Sequence, residues 1–407
     1  MPGPPDAQVQ RHSRLELIDA LRAFALFGIL QVNIQSFVWG AGDPLGYFAQ
    51  APRTLDSIAY LLVAILVSSK FISLFAFLFG FGFALQFRSL HRAAKRRACA
   101  TLALNEAQQA YRRRLWFLLG LGVAHGILLY SGDVLTTYAV CGFVLLKHAD
   151  MRPVRLARAA CQWGIACIVF LVTVLGGGGA FMEAMGPWDD DAMRETALNN
   201  FSLYTTAGYA EQLAQRAGDY FYTQLAVLIL MMPMVVTLFL LGALAARLGW
   251  LRHPERHPDV WRVAAILGLL GLIGAVIGAT LNYRSALATI GNLNLMAELF
   301  ILFGGATVAL YLCMIVKLQH TRTLGAAIAW LAPAGRMPLT NYLMQSVLMG
   351  ALLTGWGLGL GAVWRHAELS LLAMVIVIAQ VTVSRWWIAR FQTGPVEALW
   401  RKVTYRH

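Results

Sequence analysis

Apolar runs of about 20 residues recur along the whole of this chain, separated by shorter segments that carry nearly all the charge. A helix of that length rises far enough to cross the roughly 30 Å hydrocarbon core of a bilayer. Inside lipid a backbone has to satisfy its own hydrogen bonds, so such runs are helices. The pattern predicts ten spans: 17–37, 70–89, 115–131, 133–147, 157–177, 222–246, 261–282, 293–316, 338–360 and 367–388. The expected fold class is all-α, a polytopic integral membrane protein. Segment 1–16 leads into a single transmembrane domain over 17–407, with 389–407 as a cytosolic C-terminal segment. The polar stretch before the first span has no small-residue cleavage site, which points to an uncleaved signal anchor.

Charge orients this arrangement. With the N-terminus in the cytosol, segments 1–16, 88–114, 147–158, 247–262, 317–337 and 385–407 lie inside and hold 26 of the 33 Lys and Arg. That is the positive-inside bias. It requires 54–69 (TLDSIAYLLVAILVSS) to be an interfacial or re-entrant helix, since counting it as a span inverts every later loop. The longest outer segment, 178–221, opens on glycines and carries Asp189, Asp190 and Asp191. It reads either as a solvated loop with two surface helices or as a lid over an outward-facing site.

Composition agrees with the pattern. Hydrophobic residues make up 58% of the chain and charged residues 13%, where a soluble domain carries about a quarter. The net charge of +13 alternates with the spans, so it argues for a lipid bilayer as partner and against nucleic acid. The five cysteines (Cys99, Cys141, Cys161, Cys167, Cys313) have no metal spacing and read as small hydrophobes. No metal site and no internal repeat is apparent, so an inverted-repeat transporter has no positive support. The sequence leaves the oligomeric state open, a homo-oligomer included.

The chemistry has to be sought among the few polar residues within the spans, where a titratable side chain is expensive and therefore informative. Residues 115–145 form an apolar hairpin with His125 in its first arm and Asp133 just past a Ser131-Gly132 turn. Counting about 1.5 Å per residue from the outer ends puts His125, Asn33 and Glu298 in one layer. Asp133 lies just above them, and Asn292 and Asn294 flank the entry of Glu298. Gln31 and Gln35 share the first span with Asn33, but their i±2 spacing points them away from its face. A neutral imidazole beside a carboxylate can act as a general base toward a hydroxyl or amine. Spacing does not decide whether Asp133 or Glu298 pairs with His125. Each also has a plainer reading: a buried imidazole on a carbonyl, a helix cap, an interhelical hydrogen bond.

At the inner face Arg22 pairs with Asp19 at i,i+3. Arg112, Arg113 and Arg114 open the third span, and Arg88, Arg336 and Arg385 stand at other inner ends. These read as topology charges or as a basic mouth for a phosphorylated ligand. Asn341 and Gln345 share a face of the ninth span and, with Asn33 and Lys70, are candidate substrate contacts. Gly80 and Gly82 in FLFGFGFALQF, and GLGLG at 357–361, read as small residues for close helix packing rather than phosphate loops.

Several motifs carry a resemblance. LIDALRAFALFGILQVN in the first span is similar to the opening of two groups. One is the YeiB-like bacterial membrane family, a domain of unknown function (DUF418). The other comprises the transmembrane acyltransferases, namely acyltransferase family 3 and the heparan-alpha-glucosaminide N-acetyltransferases. KFISLFAFLFGFGFALQ (70–86), RRLWFLLGLGVAHGILLYSGDVLTTYAV (113–140), GRMPLTNYLMQS (335–346) and FQTGPVEALWRKVTY (391–405) resemble the YeiB-like family over nearly the whole chain. The wider resemblance implies a bacterial cytoplasmic membrane enzyme that moves an acyl group from cytosolic acyl-CoA to an acceptor across the membrane. In acyltransferase family 3 a histidine stands where this chain has Asn33. In the glucosaminide acetyltransferases it follows in the outer loop, which here (34–53) contains none. His125 is the intramembrane histidine that remains.

The expected function is therefore a membrane acyltransferase. Acyl-CoA, acetyl-CoA foremost, docks at Arg22, Arg112, Arg113 and Arg336. His125 is the base, oriented by Asp133 or Glu298, and Asn33 faces the carbonyl oxygen. A sugar, amine or lipid accepts the group at the outer face. The alternative is a proton-coupled transporter or lipid flippase that uses the same polar layer.

Overall fold

The structure is a computed structural model that describes residues 5–40, 53–96, 100–177, 190–288, 303–319 and 321–404. Among these residues every regular element is helical. In chain order the α-helices are α1 (Pro5–Trp39), α2 (Thr54–Leu66), α3 (Lys70–Lys95), α4 (Ala100–Leu128), α5 (Leu135–Lys147), α6 (Pro153–Leu171), α7 (Asp190–Thr206), α8 (Tyr209–Leu248), α9 (Pro258–Ala288), α10 (Thr307–Leu318), α11 (Arg322–Gly335), α12 (Pro338–Leu353), α13 (His366–Phe391) and α14 (Pro395–Thr404). Six stretches are long and apolar enough to cross a membrane: Glu16–Trp39, Thr54–Lys95, Pro153–Gly177, Tyr209–Leu248, Pro258–Arg284 and His366–Phe391. Leu135–Lys147 and Gly304–Leu318 are shorter apolar helices.

The stretch Thr54–Lys95 is two helices. The chain breaks after Leu66, and Ser69 takes a left-handed conformation (φ 65°) before α3 starts at Lys70. The 13 residues of α2 cover about 20 Å, less than the hydrocarbon core. Its start is pinned to α13, because Arg53 reaches both Asp56 (2.8 Å) and Glu368 (2.6 Å).

Glycine permits a close helix crossing between α3 and α8. A Cβ on Gly80 of α3 would collide with the carbonyl of Phe239 on α8, and one on Gly242 with the carbonyl of Phe77. Lipid tails are as apolar as leucine, so helices in a bilayer gain by such intimate contact rather than by hydrophobic exclusion. Around this crossing a core of Leu26, Phe71, Phe83, Tyr111, Leu115, Tyr138, Phe239 and Tyr342 ties α1, α3, α4, α5, α8 and α12 together.

Three segments differ from the apolar pattern. The expected inner segment 317–337 holds helix α11, capped by Thr321 (Leu324 N–H to Oγ1, 3.4 Å). Its Gly335 lies directly on the Asp19 carbonyl of α1, so small residues bring an apparent loop into the bundle. The expected span 338–360 ends as a helix at Leu353. There Gly355, Gly357 and left-handed Gly359 (φ 64°) turn the chain back on its own last turn. The described part of the long segment, 190–221, forms two helices as expected, but the second runs on without a break into the 40-residue α8.

Candidate functional site

The hairpin between α4 and α5 is closed by its own backbone. The N–H groups of Leu129 and Tyr130 both donate to the His125 carbonyl, at 2.9 and 3.0 Å. The C-terminus of α4 still leaves carbonyls to satisfy. One is capped from above: Arg216 Nη1 and the Tyr209 hydroxyl, both on α8, donate to the Leu128 carbonyl at 2.7 and 2.8 Å. A cation there also complements the helix dipole. One turn further on, the Tyr220 hydroxyl meets Thr136 Oγ1 at 3.0 Å. The first part of α8 thus lies across the hairpin.

Beneath this cover, His125 Nδ1 lies 2.8 Å from Asp133 Oδ1. Its Nε2 lies 2.8 Å from the hydroxyl of Ser346 on α12. The other carboxylate oxygen of Asp133 accepts from the Thr136 N–H at 2.8 Å. Asp133 therefore pairs with His125 and braces the start of α5 at once, combining the two readings the sequence left open. An ionised carboxylate only accepts, so Nδ1 donates to Asp133, and in the neutral imidazole that places the Nε2 lone pair toward Ser346 Oγ. The three side chains are sealed, with residue exposures of 3% (His125), 2% (Asp133) and 2% (Ser346). Tyr342, one turn before Ser346, packs its ring 4.9 Å from the imidazole. Its hydroxyl makes only long contacts, 3.5 Å to Asp133 Oδ1 and 3.4 Å from the Val134 N–H.

Helical periodicity leads from this group toward the basic end of the bundle. On α4, Tyr111, Arg114, Leu118, Gly122 and His125 fall on one face. Arg22, Leu26, Ile29 and Asn33 do the same on α1, and Leu339, Tyr342 and Ser346 on α12. The lower members of the three stripes line a narrow cavity of about 90 Å³ that runs from Arg22, Arg114 and Trp400 to Val134 and Tyr342. A second cavity of about 390 Å³ is lined by Gln31, Asn33, Gln35, Tyr60, Ser68, Gly132, Asn282 and His366, among others. The two share Ile29 and Val134 as walls. His125, Asp133 and Ser346 line neither, and Tyr342 and Val134 stand between them and the narrow cavity.

Helix α14 fixes the basic end. Glu397 Oε1 accepts from the N–H groups of Leu339 (2.7 Å) and Thr340 (3.0 Å), which caps the helix that carries Tyr342 and Ser346. Trp400 donates from Nε1 to the Arg114 carbonyl at 3.0 Å. The Arg114 guanidinium lies 3.4 Å from the centre of the same indole.

The other sequence candidates divide. Arg22 lines the narrow cavity and pairs with Asp19 at 2.9 Å, as expected. Arg112 and Arg113 are exposed and off the cavity, and Arg113 instead donates to the Thr404 carbonyl. Arg114 takes the place assigned to them. Arg336 is exposed and donates to the Gln392 carbonyl. Lys70 is fully buried, with its ammonium donating to the Ala64 carbonyl of α2 at 2.9 Å. Asn341 and Gln345 bond to Ser384 and Gln380 of α13 rather than facing a cavity. Gln31 and Gln35 line the same cavity as Asn33, contrary to the spacing argument, because α1 turns a broad face to that space. Glu298, Asn292 and Asn294 lie outside the described residues. Ser346 and Tyr342 are not among the sequence candidates, and Arg114 is named there only as one of the arginines opening the third span, although helical spacing alone sets it beneath His125.

An all-helical bundle with several bilayer-length apolar helices and a buried titratable group defines a polytopic membrane protein. Residues 245–407 match the family model described as "Protein of unknown function (DUF418)". The chain is 29% identical to "Uncharacterized protein YxaH" of Bacillus subtilis (strain 168), over 97% of this chain and 95% of that one. It is 26% identical to "Uncharacterized protein YeiB" of Escherichia coli (strain K12), over 96% of each. Together these matches support a YeiB-like DUF418 family, the family model covering the C-terminal part of the chain and the two relatives nearly its whole length. No solved structure matches it.

Proposed function

We propose that this protein is a membrane acyltransferase of the bacterial cytoplasmic membrane, with ten spans and both termini in the cytosol. It moves an acyl group from cytosolic acyl-CoA to an acceptor at the outer face. The observation that carries this reading is a carboxylate-oriented imidazole lying just behind Tyr342 and Val134, which wall the inner end of a slot with arginines at its mouth. Arg22 and Arg114 receive the phosphates of the nucleotide, which stays outside a cavity too narrow for it. The pantetheine arm follows the stripe from Arg114 toward His125. These two residues are eleven positions apart on one helix, roughly 16 Å at the helical rise. His125 Nε2 accepts the proton lost in acyl transfer. Asp133 holds the tautomer and stabilises the imidazolium, a contribution of about 10²–10⁴ in rate. The acceptor occupies the larger cavity, where uncharged amides (Gln31, Asn33, Gln35, Asn282) suit a hydroxyl-rich or neutral amine-bearing group. Asn33 is the donor for the carbonyl oxygen.

The test is binding of a coenzyme A panel to detergent-purified protein. Saturable binding of an acyl-CoA, weakened about 10-fold or more by Arg22→Ala and by Arg114→Ala, is the expected result. Arg112→Ala should change little. A wild-type protein that binds no acyl-CoA overturns the reading and leaves the His125 group as the proton site of a transporter or flippase.

A further inference from the structure

Many hydroxyls in the described helices bond back to their own backbone, while Thr136, Thr340 and Ser384 bond to side chains of other helices. Thr205, Thr237, Thr354 and Thr382 each donate to the carbonyl four residues back. Ser346 does not. Its hydroxyl turns away from its own helix to the lone pair of His125 Nε2, 2.8 Å away and 221 residues distant in sequence. Nδ1 of the same ring is held 2.8 Å from Asp133 Oδ1. A hydroxyl on a base, with the base oriented by a buried carboxylate, is the arrangement that activates a weak nucleophile. The two cavities adjoin, sharing Ile29 and Val134 as walls, and Val134 follows Asp133 directly in the chain, so the Ser346–His125–Asp133 group lies close to both without lining either.

We infer that Ser346 is the nucleophile and carries the acyl group as an ester between the two half-reactions. The inference rests on the acyl-transfer reading and gives it a mechanism. In the first half, Ser346 Oγ attacks the thioester carbonyl and its proton passes to His125 Nε2. The C–S bond then breaks, and the thiolate takes that proton and leaves as free coenzyme A. In the second half, the hydroxyl or amine of the acceptor attacks the acyl-serine carbonyl and gives its proton to Nε2. The C–Oγ bond breaks, and Ser346 recovers its proton from the imidazolium. The balance is one acyl-CoA and one acceptor in, one coenzyme A and one acylated acceptor out. Donor and acceptor need not be bound at the same time, because the acyl group waits on Ser346 between the two half-reactions. To reach Oγ the carbonyl carbon has to pass Tyr342, whose ring walls the narrow cavity and whose hydroxyl is only loosely held at 3.4–3.5 Å.

The experiment uses the full chain in detergent without acceptor, in two arms: acetyl-CoA labelled in its acetyl group for transfer to the protein, and unlabelled acetyl-CoA with added labelled free coenzyme A for exchange. Three quantities are read: saturable binding, exchange of label between acetyl-CoA and free coenzyme A, and acyl mass on the peptide containing residue 346. The expected result is exchange together with hydroxylamine-releasable label on Ser346, both lost to background in Ser346→Ala. Ser346→Cys keeps the size of the side chain, so it controls for folding. It should accept the acyl group as a thioester that neutral hydroxylamine releases far faster than the serine ester, a change that a merely structural serine would not produce. Binding without exchange or label overturns the inference and leaves direct transfer standing. Label that persists in Ser346→Ala also overturns it. Absence of binding overturns both the inference and the acyl-transfer reading beneath it.

Discussion

Helix α12 has two polar faces one residue out of step, and they behave as opposites. On one, Asn341 and Gln345 meet α13. Asn341 Nδ2 donates to Ser384 Oγ and to the Ala334 carbonyl, Gln345 Nε2 to Gln380 Oε1, and Gln380 Nε2 back to the Asn341 carbonyl. No group in that set titrates near neutral pH, and the amides satisfy one another. On the other face, Tyr342 and Ser346 meet the hairpin, where the Ser346 hydroxyl and the Tyr342 ring both contact the imidazole of His125. The first face joins two helices. The second holds a base and a hydroxyl in line and leaves Tyr342 weakly tethered. What separates structure from chemistry here is therefore not burial, which both faces share, but whether the network contains a group that can take up a proton.

Substitutions on the two faces test that contrast, beginning with the largest effect. His125→Ala should abolish transfer while expression and folding persist, a loss of about 10²–10⁴ in rate. Asp133→Asn should lose a similar factor, because an amide keeps an oxygen for the Thr136 N–H but no longer fixes the imidazole tautomer. Both are read by turnover once an acceptor is known, and before that by exchange with coenzyme A. Retained activity in either variant would erase the distinction between the faces. An intermediate effect is expected of Glu397→Gln, which weakens the cap of α12 without touching His125. It should cost about 1 kcal/mol of stability, seen as a lower melting temperature in detergent. The smallest belongs to the amide face: Gln345→Leu should cost on the order of 0.6 kcal/mol and leave acyl-CoA binding unchanged. A large loss of binding in Gln345→Leu would show that the amide face is part of the site after all.

Much of this site was legible before any coordinates. The apolar hairpin, the place of His125 within it and the Ser131-Gly132 turn followed from periodicity and turn chemistry. The partner of His125 did not, since Asp133 and Glu298 both sat at compatible depths. The turn decides it for Asp133, by folding the carboxylate back over the last turn of α4. Ser346 was hidden for a different reason. A serine in an apolar helix ordinarily bonds to its own backbone, and attention went to the longer amides one residue earlier. Asn341/Gln345 and Tyr342/Ser346 have the same i,i+4 spacing, so only the packing of α12 between α13 and the hairpin tells them apart. Arg114 was readable: eleven residues make just over three helical turns, so the arginine below His125 is 114 and not 112 or 113. Segments 317–337 and 338–360 misled because glycine and alanine are silent in a hydropathy pattern, although they decide where helices touch and where they stop.

The long separation in sequence between the imidazole and its serine has a consequence for how the protein is made. His125 and Asp133 leave the ribosome 221 and 213 residues ahead of Ser346, and the cap supplied by Glu397 follows later still. Through most of its biosynthesis the nascent chain holds the base without the hydroxyl it faces. On the acyl-serine inference, an unfinished chain in the membrane that has not yet reached residue 346 cannot take an acyl group there from the cell's coenzyme A pool, and the cap that steadies the serine's helix arrives last.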